Sequence, residues 1–212
     1  RDVCKAMALD APDKFLIDAL LRDSSEPPTT EVVNLARAAK WLHRVVVRRV
    51  PTDLSHIAQA LTTAASLALE SKGVIRDVGT GRWMTPDQAR RVLKARRFAI
   101  ADHVVVASAQ GPGGQSLRTR GLAKFATPEI HAIDVPKEHG RLVRQALLTI
   151  ADLRTLGSPV SAGITVQLGA AAVVLVAAPE GHLIVCDADP LDLSPRPGLA
   201  RWIDAIQLSR AA

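Results

Sequence analysis

AGITVQLGAAAVVLVAAPEGHLIVCDA, Ala162 to Ala188, is the stretch that decides the fold. It contains three strand-like runs in succession, AGITVQLG, AAVVLVAAP and HLIVCDA, rich in Val, Ile and Leu. The Glu180–Gly181 pair between the last two fits a tight hairpin. No helix-length segment separates the runs, whereas a doubly wound parallel sheet needs a helical crossover between neighbouring strands. The chain also carries long helical stretches, so the class indicated is α+β, with mixed sheets and packed helices.

Downstream, PGLARWIDAIQLSR closes the chain as a helix, and upstream VPKEHGRLVRQALLTIADLRTLG is a long helix entered through Pro136. EIHAID alternates like a strand, HVVVASAQ (103–110) is another, and GPGG (111–114) is a flexible turn. TDLSHIAQALTTAASLALESKG is the clearest helix. Thr52 or Asp53 serves as its cap, Leu54, Ile57, Ala58, Leu61, Ala65 and Leu69 form its apolar face, and Gly73 is its stop. VIRDV follows as a short strand. Thr85 then caps a short helix with Pro86 at its first position, where a missing N–H costs nothing.

The N-terminal part reads as helical. DKFLIDALLRD has an apolar stripe of Phe15, Leu16, Ala19 and Leu20, and Thr30 caps EVVNLARAAKWLHR. A strand is expected from about Val45 to Val50, ended by Pro51. Strand, helix, strand is the order of a split β-α-β half, and two ferredoxin-like halves are the architecture this implies. The expected division is 1–110, N-terminal helices plus the first half, and 111–212, the second, parting near Gly111–Gly114, with one compact domain as the alternative.

The 212 residues are ample for a real core, and with 48% hydrophobic but only 3% aromatic residues that core is packed by aliphatic side chains. The first residues mix charges and lack a signal-peptide pattern, and no apolar run is long enough to span a bilayer, so a cytosolic protein without a membrane partner is expected. Two cysteines far apart, Cys4 and Cys186, make neither a disulfide framework nor a zinc pattern. The net charge of +6 is uneven: Arg44 to Lys124 holds fourteen Lys/Arg against five Asp/Glu. A basic middle suits an anionic partner.

Most chemical motifs are excluded. GPGGQ lacks the Lys-Ser/Thr of a phosphate loop, and GTGRW lacks the spacing of a dinucleotide fingerprint. His131 and Asp134 fall on opposite strand faces, and no nucleophile elbow is present. Cys186, Asp187, Asp189 and Asp192 have the spacing of a cation loop but not its Gly and Glu. No cofactor is expected. What remains is an anion-binding candidate at Arg118, Arg120, Lys124 and Glu129, with the two arginines on one strand face. A partner-contact candidate lies at Arg82 and Trp83, and a basic cluster at Arg90, Arg91, Lys94, Arg96 and Arg97.

GVIRDVGTGRWMTP, followed by RTRGLAKFATPEI and a long helix, resembles a group of uncharacterised bacterial proteins with a T-R-G-L-x-K-F-G-x-P-E-L segment. Thr119, Arg120, Gly121, Leu122, Lys124, Phe125, Pro128 and Glu129 carry the resemblance over roughly Val45 to Leu156, while Ala126 and Ile130 depart from the pattern. The resemblance implies an α+β fold and no particular activity. The functional expectation is a non-catalytic protein-interaction module, an accessory or regulatory subunit of a bacterial defence or toxin-related system. Two alternatives stand beside it: a nucleic-acid-binding protein using Arg48, Arg49 and the Arg90–Arg97 cluster, and an enzyme acting on an anionic substrate.

Overall fold

Short apolar stretches punctuated by Pro, Gly and charge fold locally in the first part of the chain, while long aliphatic strands dominate the second. In the computed structural model these are two units, Arg1–Phe98 and Ala99–Ala212. The structure describes residues 3–8, 14–47, 54–95, 97–111, 113–155, 161–169, 171–179, 181–189 and 191–211. The expected caps Thr52 and Asp53, together with Arg48, Arg49, Pro51, Arg96 and Glu180, lie outside them.

In the first unit β1 (Val3–Ala8) pairs antiparallel with β2 (Trp41–Val46), Val3 facing Val46 and Ala8 facing Trp41. Between them run α1 (Lys14–Arg22) and α2 (Thr30–Ala38). Thr29, one residue earlier than expected, caps α2: its hydroxyl accepts the Val32 N–H at 3.4 Å. On α1 the buried position is Ile17, and Phe15, read as part of the apolar stripe, is exposed. A helix through to Arg44 was expected, but Ala39 turns to an extended conformation and the strand begins at Trp41.

α3 (Ser55–Glu70) buries His56, Ala65 and Ala68, and Gly73 closes it by donating its N–H to the Ala68 carbonyl at 2.7 Å. Leu69, read as part of its apolar face, is exposed. A two-residue hairpin follows, β3 (Ile75–Arg76) with β4 (Trp83–Met84), and then α4 (Pro86–Lys94). Thr85 and Gln88 form a reciprocal capping box there, which satisfies N–H groups the first turn would otherwise leave open. β2 therefore pairs with β1 and β3 with β4, so the strand-helix-strand segment is not a split β-α-β half.

The second unit is one seven-stranded sheet. β5 (Val105–Gly111), β6 (Gly114–Arg120) and β7 (Ile130–Val135) form an antiparallel meander. α5 (Gly140–Thr155) leads to β8 (Thr165–Leu168), β9 (Ala171–Ala177) and β10 (Leu183–Ala188), a second antiparallel meander. β10 joins the first meander by pairing parallel with β7, giving the order β5-β6-β7-β10-β9-β8. β11 (Pro195–Arg196) pairs with the end of β10, and α6 (Ala200–Ala211) closes the chain. The class is α+β.

The expected division near Gly111–Gly114 is instead the β5–β6 hairpin, wholly inside the second unit. Gly114 has φ 153, and a Cβ there would meet the Val135 carbonyl oxygen at 2.7 Å, so the turn needs glycine. Val143, Leu147, Ile150 and Ala151 on α5 share one helical face and pack, with Trp202 and Ile203 of α6, on Leu117, Ile130, Leu175 and Val185. Burying side chains of this size contributes about 1.5–3 kcal/mol each. At the sheet border, Arg144 of α5 donates from Nη1 to the Val106 carbonyl of edge strand β5.

Candidate functional site

The segment from Leu117 to Ile130 connects β6 to β7, and its hydrogen bonds run inward. Thr119 is fully buried; its hydroxyl accepts the Ile130 N–H at 2.7 Å and donates to Glu129 Oε2 at 2.7 Å. Glu129 Oε1 accepts the N–H groups of Gly121 (2.8 Å) and Leu122 (3.0 Å). Those are the leading N–H groups of a short 3-10 turn, Leu122–Phe125, so the carboxylate caps it. Gly121 takes φ 115, and Ala126 takes φ 51 at the far end of the turn, so the left-handed bend forms without glycine there. Lys124 donates from Nζ to the His103 carbonyl at 2.9 Å, and Phe125 meets the His103 ring edge-on at 6.3 Å.

Two members of this candidate set, Lys124 and Glu129, are therefore parts of a clamp that fixes the β6–β7 junction. Arg118 and Arg120 alternate with buried Leu117 and Thr119, so both lie on the sheet face away from α5, Arg118 exposed and Arg120 half-buried. Arg118 stands directly across from His131, whose ring centroid is 4.2 Å from that of His182.

The Arg82–Trp83 candidate is bound into its own unit. Asp77 closes a tight loop: its N–H donates to the Arg82 carbonyl at 2.9 Å, its carbonyl accepts the Gly81 N–H at 2.8 Å, and its side chain accepts the Gly79 N–H at 3.0 Å. Arg82 pairs with Glu26 at 3.0 Å, Arg76 pairs with Asp23 at 2.6 Å, and the Trp83 indole N–H donates to the Leu20 carbonyl at 3.4 Å. The turn is pinned to the end of α1 and the connection that follows it, and Trp83 is half-buried.

α4 is different. Ala89 is fully buried and Val92 and Leu93 are half-buried, while Arg90, Arg91 and Lys94 are exposed, and exposed Arg97 follows. On this face Arg90 pairs with Asp87 at 3.7 Å, a contact between two open side chains that adds little stability. A second basic stretch, Lys40 and Arg44 with exposed His43, lies on β2 and just before it. The expected helix through Arg44 conceals it, and the strand that begins at Trp41 brings it to the surface.

The acidic loop after β10 serves the fold. Asp187, 3% exposed, accepts the N–H groups of Arg201 (2.9 Å) and Trp202 (3.0 Å) at the start of α6. Asp189 accepts the Leu191 N–H at 2.8 Å and the Arg196 Nε–H at 2.6 Å, and these bonds, the first foremost, hold its carboxyl below the usual aspartate range. Asp192 is lowered too, by the Ser194 side chain and then its N–H at 2.9 Å. Burial, and secondarily Asp187, pushes the Cys186 thiol up, away from thiolate chemistry. A cavity of about 380 Å³ beside this loop is lined by Gln167, Ala171, Ala172, Arg201 and Ala205 among others. Among the described residues no three His, Cys, Asp or Glu side chains assemble as a metal set, and no helix is long and apolar enough to cross a membrane.

The fold thus defines an α+β protein of two units. No family model, no curated protein and no solved structure matches the chain.

Proposed function

We propose that the chain is a non-catalytic interaction module, an accessory or regulatory subunit, whose first unit receives an acidic protein partner on the exposed side of α4. The observation that carries this reading is the three neighbouring cations, Arg90, Arg91 and Lys94, on a helix whose opposite side is anchored by Ala89. Charge supports it further. Residues 1–98 hold seventeen Lys/Arg against eleven Asp/Glu, and residues 99–212 hold ten against ten, so the whole net charge of +6 lies in the first unit. Complementary charge speeds and orients such encounters. The enzyme reading loses support, because Glu129 already accepts three hydrogen bonds from its own chain.

Native mass spectrometry on protein taken from its own host tests this. The expected result is a retained protein chain that disappears in an Arg90→Glu/Arg91→Glu/Lys94→Glu variant. An unchanged complex in the variant, or retention of nucleic acid alone, would count against it.

A further inference from the structure

Among the described residues β5 is an outer strand of its sheet, and it runs out beyond the core. Val105 and Val106 are buried and Ala107 is half-buried, whereas Ser108 to Gly111 are exposed. Gly111 and Gly114 close the hairpin across a two-residue turn, so this pair exchanges hydrogen bonds, as do Ala109 with Ser116 and Ala107 with Arg118. The N–H and C=O groups of Val106, Ser108 and Gln110 therefore point away from β6, and the Arg144 donation to the Val106 carbonyl fits that direction. Exposed strand borders are ordinarily blunted by charge, yet residues 104–117 contain no Asp, Glu, Lys or Arg. The side chains beside the open groups include Ala107, Ser108 and Ala109, too small to screen them. α5 places a cation at this border: Arg144 is exposed, and exposed Arg141 lies one turn earlier. Arg144 gives one guanidinium N–H to Val106 and keeps others to donate, and no carboxylate among the described residues pairs with it.

We infer that the border of β5 is a strand-addition site for an extended segment of another protein, one that carries an Asp or Glu where it passes Arg144. Ser108 and Gln110 each offer that segment a backbone donor and acceptor, so it joins as a further strand. Main-chain hydrogen bonds give such binding its affinity. The carboxylate meets the guanidinium beside Val106 and fixes the register. Backbone and charge together separate the occupants. A nucleic acid or small anion matches the charge but has no ladder of N–H and C=O groups to continue the sheet. A second copy of β5 brings the ladder but no carboxylate, since residues 104–117 hold none. The site lies in the second unit and does not rest on the reading of α4.

Selection of a phage-displayed library of random short peptides on the full chain tests the inference, with the enriched peptides synthesised and measured by fluorescence anisotropy. The expected peptides are rich in β-branched residues around an Asp or Glu. Ser108→Pro removes an outward N–H, leaves the β5–β6 ladder whole and should weaken them about tenfold or more. Arg144→Glu should reject them and select peptides with Lys or Arg at the same place, a switch that loss of structure cannot produce. Circular dichroism checks folding, and Gln110→Pro, farther from the core, serves if Ser108→Pro does not fold. No enriched peptide, equal binding by the proline variant, or an unchanged peptide charge with Arg144→Glu each overturns the inference. Binding lost on reversal of the α4 charges but kept in the β5 variants overturns it as well, and moves the peptide to α4. Wild-type dimers in sedimentation that Ser108→Pro dissociates would overturn it in favour of a second copy.

Discussion

Thr119 shows how one side chain can look like part of a binding motif and act as a structural pin. In T-R-G-L-x-K-F it sits between two arginines, which draws attention to anions. Its hydroxyl in fact links the Ile130 N–H to the Glu129 carboxylate in a space with no solvent exposure. Thr119→Val keeps the shape and removes both bonds, leaving a buried N–H unpaired. The expected loss is about 1–3 kcal/mol in urea unfolding; a change below about 0.5 kcal/mol would show that the clamp is not a stabilising unit. The parity of Arg118 and Arg120 was legible from strand periodicity alone. The role of Glu129 was not, because a carboxylate reaching back to backbone N–H groups depends on a turn that the sequence marks only by Gly121.

Among the elements, helices with local start signals were read well. Thr85, Pro86 and Gln88 are neighbours in sequence, and the capping box they form needs nothing distant. The strands of the second unit were legible for the same reason, since their aliphatic runs carry the pattern. β1 was missed because six residues with a central Lys5 have no apolar alternation, and only Trp41–Val46, far along the chain, reveals it as a strand. The surroundings of Trp83 and Arg82 were illegible for the same reason, their partners Leu20 and Glu26 lying on α1 and beyond it.

The loop from Asp189 to Arg196 yields a pH prediction. The Asp189 carboxyl titrates lower in the folded chain than in the unfolded one, where it lies near 3.9. Its contribution is therefore complete above about pH 4 and is lost as pH falls through the lower folded value. Urea midpoints of wild type and Asp189→Asn, compared at neutral pH and near pH 3, should converge on acidification as the wild type loses this advantage. A constant gap between them would mean the carboxylate's charge is not what holds the loop.

At the level of the whole molecule the two units are unequally built. The second has a continuous aliphatic core capped by Trp202, whereas the buried cluster of the first around α3 and α4 is Ala65, Ala68, Ile75, Met84 and Ala89, mostly small side chains. Small side chains remove less apolar area from water and so contribute less. Heating should give two transitions, the first belonging to residues 1–98, with amide exchange persisting longest in the strands around Leu117, Ile130 and Leu175. A single transition with uniform protection would show that the units fold as one. The same partition follows charge: the unit expected to melt first is the basic one.

The arginine that reaches from α5 to the rim of β5 has a consequence for how copies of this chain coexist. A strand with one bare side is a mould on which an identical strand can be cast, and growth of that kind ends in fibres. Arg144 occupies the Val106 carbonyl of the edge strand and places a positive charge beside it. An approaching copy would meet its own cation there, so at this border crowded molecules are kept from knitting backbone to backbone.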